Sequence, residues 1–158
     1  MSESLGAGKA AVYEELLPQI KGLLEGEADI IANLANVTAV LKEALGFFWV
    51  GFYLVRGKQL VLGPFQGSLA CTRIDKGKGV CGKAWETAST IIVPDVDRFE
   101  GHIACSSLSR SEIVVPIFQR GIVAGLLDID SDLTNTFDKT DARYLEDICK
   151  LLSVWVFS

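Results

Sequence analysis

The feature that most constrains this chain is an abrupt change of hydrophobic period at Gly46. Before it, Ile30, Leu34, Val37, Leu41 and Leu45 recur every three or four residues, the spacing of one helix face. After it, residues 47–55 are dense in aromatic and β-branched types that favour strands, and Gly57-Lys58 offers a turn into a second strand over 59–64. Upstream, Tyr13, Leu16 and Leu17 begin an earlier helical stripe, which Pro18 should kink or divide. Residues 76–89 read as a glycine-rich entry to a short helix, followed by a strand over 90–93. Residues 94–111 carry no sustained period, and loops of such length in compact domains are often functional. A hairpin over 112–118 and 122–130 turns around Gln119-Arg120-Gly121. The last helix, 139–156, carries Tyr144, Leu145, Ile148, Leu152 and Val156 on one side. Helices, then mainly antiparallel strands, then a helix define an α+β layer arrangement.

The chain has 158 residues, enough for one domain spanning 1–158 and too few for two. Hydrophobic residues make up 49% and charged ones 22%, which supplies a core and excludes intrinsic disorder. The net charge of −5 comes without a basic cluster, so nucleic acid is not an expected partner. No apolar run approaches the ~18 residues of a membrane span. The first residues, Met1-Ser2-Glu3-Ser4-Leu5-Gly6, lack a basic n-region and an apolar h-region, so the expected location is the reducing cytoplasm. There the four cysteines should be thiols or redox-active groups rather than a permanent disulfide framework.

Gly77-x-Gly79-x-x-Gly82 matches the dinucleotide fingerprint literally, but that fingerprint needs a buried parallel strand before it, and residues 71–76 are polar. A tight helix entry whose N–H groups face a cavity fits better. Cys149 lies beside the apolar stripe of the last helix and should simply pack. Cys71, Cys81 and Cys105 fall in loop or helix-entry positions. A zinc site using them with His102 is disfavoured, because no Cys-x-x-Cys pair exists, and no resident metal is expected.

Asp128 and Asp130 are two apart on a strand and share a face. A three-residue hairpin loop would set Phe118 opposite Ile122 and Glu112 opposite Asp128, bringing all three carboxylates to one face beside Val114, Ala124 and Leu126. The alternative is that they are solvated strand ends. Trp49, Gly51 and Tyr53 likewise share a face, two aromatic walls with a space between them or an ordinary packed pair.

Gly101-His102-Ile103-Ala104-Cys105, followed by Ser111-Glu112-Ile113-Val114-Val115-Pro116, resembles the signature of the free methionine-(R)-sulfoxide reductases. So do Phe48-Trp49-Val50-Gly51-Phe52-Tyr53, Ala32-Asn33-Leu34-Ala35-Asn36 and Gly79-Val80-Cys81-Gly82; together the similarity runs from about residue 10 to about residue 152. The resemblance implies a GAF-like domain, an antiparallel sheet flanked by N-terminal and C-terminal helices. It implies that Cys105 attacks the sulfoxide sulfur, that Cys71 resolves it as a disulfide, and that Cys81 supports or substitutes. It assigns Glu112, Asp128 and Asp130 to a substrate-contacting acidic cluster and Trp49 and Tyr53 to the pocket wall. Backbone amides of the 101–106 loop, at Ile103 and Ala104, are candidate donors to a substrate carboxylate. This chain departs from many relatives at Ser106, where an acidic residue is expected.

Those groups suit the reaction. A sulfoxide oxygen leaves only when protonated, and clustered carboxyls raise one another's pKa, so at least one should keep a proton to donate. The others, ionised, can bind an ammonium group. Cys105 would become a sulfenic acid, close onto Cys71, and be regenerated by thioredoxin, itself fed by NADPH and thioredoxin reductase, with no bound cofactor. A homodimer is left open. The competing class is a non-catalytic GAF module that senses a small molecule, which would need neither the cysteines nor the carboxylates.

Overall fold

The structure, a computed structural model, describes residues 2–103 and 105–158, with side chains from residue 8 onward. Helix α1 (Ser2–Glu25) and helix α2 (Ile30–Leu45) come first. Asp29 caps α2 by accepting from the Ala32 N–H, and Gly46, at φ 66°, ends it in the left-handed conformation that glycine adopts freely. α1 runs as one helix through Pro18, so the division expected there does not occur. Tyr13, Leu16, Ile20 and Leu24 form a buried stripe along it, and packing of that stripe against the last helix offsets the backbone bond Pro18 cannot make.

Strands β1 (Trp49–Arg56), β2 (Gln59–Gln66), β3 (Arg73–Asp75), β4 (Ile91–Val93), β5 (Ser111–Gln119) and β6 (Ile122–Ser131) form one antiparallel sheet in the order β3-β2-β1-β6-β5-β4. Helix α3 (Gly79–Thr87) joins β3 to β4, and helix α4 (Lys139–Trp155) follows β6. β3 was not foreseen: only Ile74 is apolar in its three residues, too few to show a period. Because β3 and β4 are the two edges, α3 crosses the sheet from one edge to the other.

Alternation along the strands gives the sheet two apolar faces. Val50, Phe52, Leu54, Ile113, Val115, Ile117, Leu127 and Ile129 pack under α1, α2 and α4. Trp49, Tyr53, Val114 and Leu126 point the other way, toward Val80, Cys81, Ala84 and Trp85 of α3. A buried anchor ties α1 to α4: Asp141, in a capping box with Asp138, accepts from Tyr13 Oη at 2.6 Å and from Lys9 Nζ at 2.7 Å.

The β5–β6 hairpin corrects the expected register. The loop is two residues, not three: Arg120 and Gly121 both have positive φ, at 53° and 79°, and Gln119 pairs with Ile122. A two-residue loop alone would send Glu112 to the face opposite Asp128 and Asp130. A bulge at Ile117/Phe118 absorbs one extra residue and restores the phase, so Glu112 pairs with Asp130 and Val114 with Asp128. Ala124 turns to the helix side as a result, leaving only Val114 and Leu126 of the three expected apolar neighbours on the carboxylate face. The three carboxylates share one face as expected, by another route.

The 77–82 segment has no parallel strand before it, since β3 pairs antiparallel with β2. Its glycines serve a tight entry to α3. A Cβ on Gly82 would lie 2.6 Å from the Asp75 carbonyl, and Gly79, at φ 62°, sits against Ile103.

Candidate active site

Three neighbouring strands supply the floor of a cavity on the α3 side of the sheet. β1 pairs Trp49 with Asp130 and Gly51 with Asp128, while β5 pairs Glu112 with Asp130 and Val114 with Asp128. One row across the sheet therefore reads Trp49, Asp130, Glu112, with Gly51, Asp128, Val114 in the next; directly opposed side chains stand about 5 Å apart. The space expected above Gly51 is filled. A Cβ there would fall 2.6 Å from the Trp49 indole, which lies across it and stacks on Phe65 at 5.4 Å. Trp49 and Tyr53 rings stand 6.4 Å apart and form one continuous wall.

The roof is made of two loops and the start of α3. Cys71, in the β2–β3 connection, and Cys105, in the long loop before β5, form a disulfide with Cα atoms 5.4 Å apart. Cys105, with Ile103 beside it, Leu69 and Ala70 from the β2–β3 connection, and Gly79, Val80 and Cys81 of α3 border a space of about 40 Å³. That volume holds a few waters, each needing roughly 10–15 Å³ on this measure. It does not admit a ligand of amino-acid size with the disulfide in place. Cys105, Cys81, Glu112, Asp128, Asp130, Trp49, Tyr53 and Ile103 all border this one cavity, and Cys71 is held beside it by its bond to Cys105. Ala104 lies outside the described residues. Cys149 is buried in the opposite core, as its place beside the apolar stripe of α4 led us to expect.

Burial dominates the electrostatics. It pushes the Glu112 carboxyl well above the ordinary glutamate range, and the nearby charges of Asp128 and Asp130 add to the rise. Asp130 is likewise pushed well up, first by burial and then by Asp128, with the Glu112 and Ser109 hydrogen bonds opposing. Asp128 is also raised by burial, but hydrogen bonds from Glu112 and Cys81 oppose the rise. Asp128 is thus the carboxyl best placed to ionise, and Glu112 the one that donates to its neighbours. One Asp128 oxygen, Oδ1, is buried and meets no permanent N–H or O–H donor among the described residues, which leaves it to protons carried by Glu112, by Cys81 or by a ligand. Burial and the adjacent carboxylates hold Cys81 as a neutral thiol. Cys81, Glu112 and Asp128 bring donor atoms within 4.8 Å of one another, close enough to hold a cation, although burial favours protons on these groups. Cys71 and Cys105, tied to each other, are not available as thiolate ligands in this form.

Sequence reasoning left out His102 as a site residue. Its Nε2 lies 3.9 Å from Glu112 Oε1, and burial lowers its pKa, with Asp97 opposing, so a neutral imidazole faces the acid cluster. Ser109 and Lys78 also line the cavity. The available signal for His102 was its place three residues before Cys105, which carries no geometry inside an irregular loop.

A cavity of this kind beneath an α-helix that crosses an antiparallel sheet defines a class. The profile of the GAF domain matches residues 29–155, so the chain is a GAF-domain protein. The chain is 61% identical to GAF domain-containing protein A of Dictyostelium discoideum over 156 residues, 96% of this chain and 99% of that protein. It is 43% identical to the free methionine-R-sulfoxide reductase of Escherichia coli over 141 residues, 89% of this chain and 86% of that one. The X-ray structure of free methionine-R-sulfoxide reductase from Neisseria meningitidis in complex with its substrate superposes with a TM-score of 0.91 at 59% identity, covering 92% of this chain and 89% of that one. Within the GAF class, this chain belongs to the free methionine-R-sulfoxide reductases, a family of enzymes. Among the described residues, no helix is long and apolar enough to cross a membrane.

Proposed function

We propose that the protein reduces free L-methionine-(R)-sulfoxide to methionine, with Cys105 as nucleophile, Cys71 as resolving thiol and thioredoxin as external reductant. The observation that carries this reading is that the Cys105 end of the Cys71–Cys105 disulfide opens onto the same cavity as buried Glu112 and Asp128 and half-buried Asp130. In the reduced enzyme the Cys105 sulfur attacks the sulfoxide sulfur. The S–O bond of the substrate breaks, two electrons pass to it, and methionine leaves while the oxygen remains on Cys105 as a sulfenic acid. Glu112, its pKa raised and its proton shared toward Asp128 and Asp130, supplies the proton that polarises the S–O bond. Asp128, ionised, binds the substrate ammonium through Oδ1, with Asp130 beside it. N–H groups of the loop at Ile103 and Ala104 receive the substrate carboxylate, and the Trp49–Tyr53 wall receives the S-methyl end. Gripping both charged termini excludes a peptide.

The Cys71 thiol then attacks the sulfenic sulfur: the S–S bond forms, the S–O bond breaks and water leaves with the thiol proton. Cys81, buried as a neutral thiol beside the acids, supports this step or substitutes in it. Substrate entry requires the two loops to part, because the disulfide form encloses only about 40 Å³. Thioredoxin, with NADPH and thioredoxin reductase, reopens the disulfide, which places the cycle in the cytoplasm as a repair of oxidised methionine. A non-catalytic sensor would have no use for the redox pair. Following NADPH oxidation in the thioredoxin-coupled system tests the proposal. The free R diastereomer should turn over, whereas the S diastereomer and an N- and C-blocked analogue should not. Equal turnover of the blocked analogue would remove the terminus-gripping reading.

A further inference from the structure

We infer that Tyr53 and Trp49 are positioning residues for the resolving thiol, fastening the 67–72 segment so that Cys71 stands within reach of Cys105. The inference rests on the reading of these two cysteines given above. Tyr53 is 2% exposed, and its Oη donates to the Cys71 carbonyl at 2.8 Å. Trp49 Nε1 donates to the Ser68 carbonyl at 2.9 Å. Between these two tethered carbonyls Leu69 is 90% exposed, so side-chain packing does little to hold the segment at its apex. At its start, Gly67 has φ +140°, and a Cβ there would stand 3.0 Å from Trp49 Cγ. At its end, the Thr72 carbonyl accepts from the Leu62 N–H at 3.0 Å, just before β3 begins to pair with β2.

The Tyr53 bond falls on Cys71's own backbone, and that gives it its consequence. A disulfide forms only when Cα atoms approach to roughly 4.4–6.8 Å, and the observed separation is 5.4 Å. A carbonyl pinned from beneath restricts where the Cys71 Cα can travel while the Cys105 loop opens and closes. Burial and the Asp128 charge keep the Tyr53 phenol protonated, so the donor persists at working pH. The same rings that wall the cavity thereby set the distance the sulfenic sulfur must cross to be resolved.

The test separates the two chemical steps. Reduced enzyme is mixed with one equivalent of free methionine-(R)-sulfoxide, and methionine release is followed alongside Cys105 sulfenic acid, trapped with dimedone. In Tyr53→Phe, which keeps the ring and loses the donor, disulfide closure should slow by roughly fivefold relative to methionine release, the worth of one buried neutral hydrogen bond. Gly67→Ala, whose methyl runs into the Trp49 indole and displaces the Trp49-held end, should lengthen the sulfenic acid lifetime in the same direction, and scoring closure relative to methionine release separates this from any effect of the shifted ring on binding. In both variants the disulfide should also be more easily reduced in a glutathione buffer. Closure and release slowed by one common factor, or closure at the wild-type rate in either folded variant, would overturn the positioning role. Wild-type enzyme that releases no methionine and traps no sulfenic acid would remove the underlying reading, and this inference with it.

Discussion

Replacing Glu112 by Gln should abolish catalysis and yet make the folded protein more stable as pH rises. Glu112 is 6% exposed, pairs across the sheet with Asp130, and is pushed up by burial and by two carboxylate neighbours. A folded carboxyl with a raised pKa binds its proton more tightly than the unfolded chain does. Its contribution to stability is complete below the unfolded value, about 4.3, and is lost as pH climbs through the folded one. Across that window each proton released on unfolding costs about 1.4 kcal/mol per pH unit. In a chain of this size 1 kcal/mol moves Tm by about 2–4 °C, so the gap between variant and wild type should widen by about 3–5 °C per pH unit. Glutamine preserves the shape and can still donate to Asp128 and Asp130, which isolates the ionisation from the packing. Thermal melts of both oxidised proteins, from about pH 4 upward, read the effect directly. A gap that stays constant with pH, or that widens in favour of the wild type, would refute the buried-proton reasoning.

Cys71→Ser should still release one methionine per enzyme in a single turnover and then fail to cycle with thioredoxin; normal cycling would transfer the resolving role to Cys81. Steady-state activity should fall at high pH as the acid cluster loses its last proton, and Asp130→Asn should shift the high-pH limb of the kcat profile, since Asp128 and Asp130 raise Glu112. Gly51→Ala drives a methyl into the Trp49 ring and Phe65, an overpacking worth about 2 kcal/mol, and should lower Tm by about 4–8 °C in calorimetry.

The helix boundary at Gly46 and the antiparallel strands were legible because each was long enough to show its own period. The sharing of one face by Glu112, Asp128 and Asp130 was legible too, but the register was not. Turn length and bulge each shift the phase by one residue, and the sequence shows only their sum. β3 was invisible because a three-residue edge strand with one apolar side chain has no pattern. The filling of the space above Gly51 by Trp49 depends on a rotamer, and His102's approach to Glu112 on the path of an irregular loop. Pro18 was read by its local cost alone, whereas the buried stripe around it decides the outcome.

The central claim is that Cys105 and Cys71 act as one redox pair in the chamber that holds the substrate. Fully reduced protein should be mixed with substoichiometric free methionine-(R)-sulfoxide in the absence of any other thiol, quenched, and mapped by mass spectrometry. One methionine should form and two thiols should be lost per sulfoxide consumed, with the new cross-link joining positions 71 and 105. Methionine formed while both of those thiols remain alkylatable would contradict it.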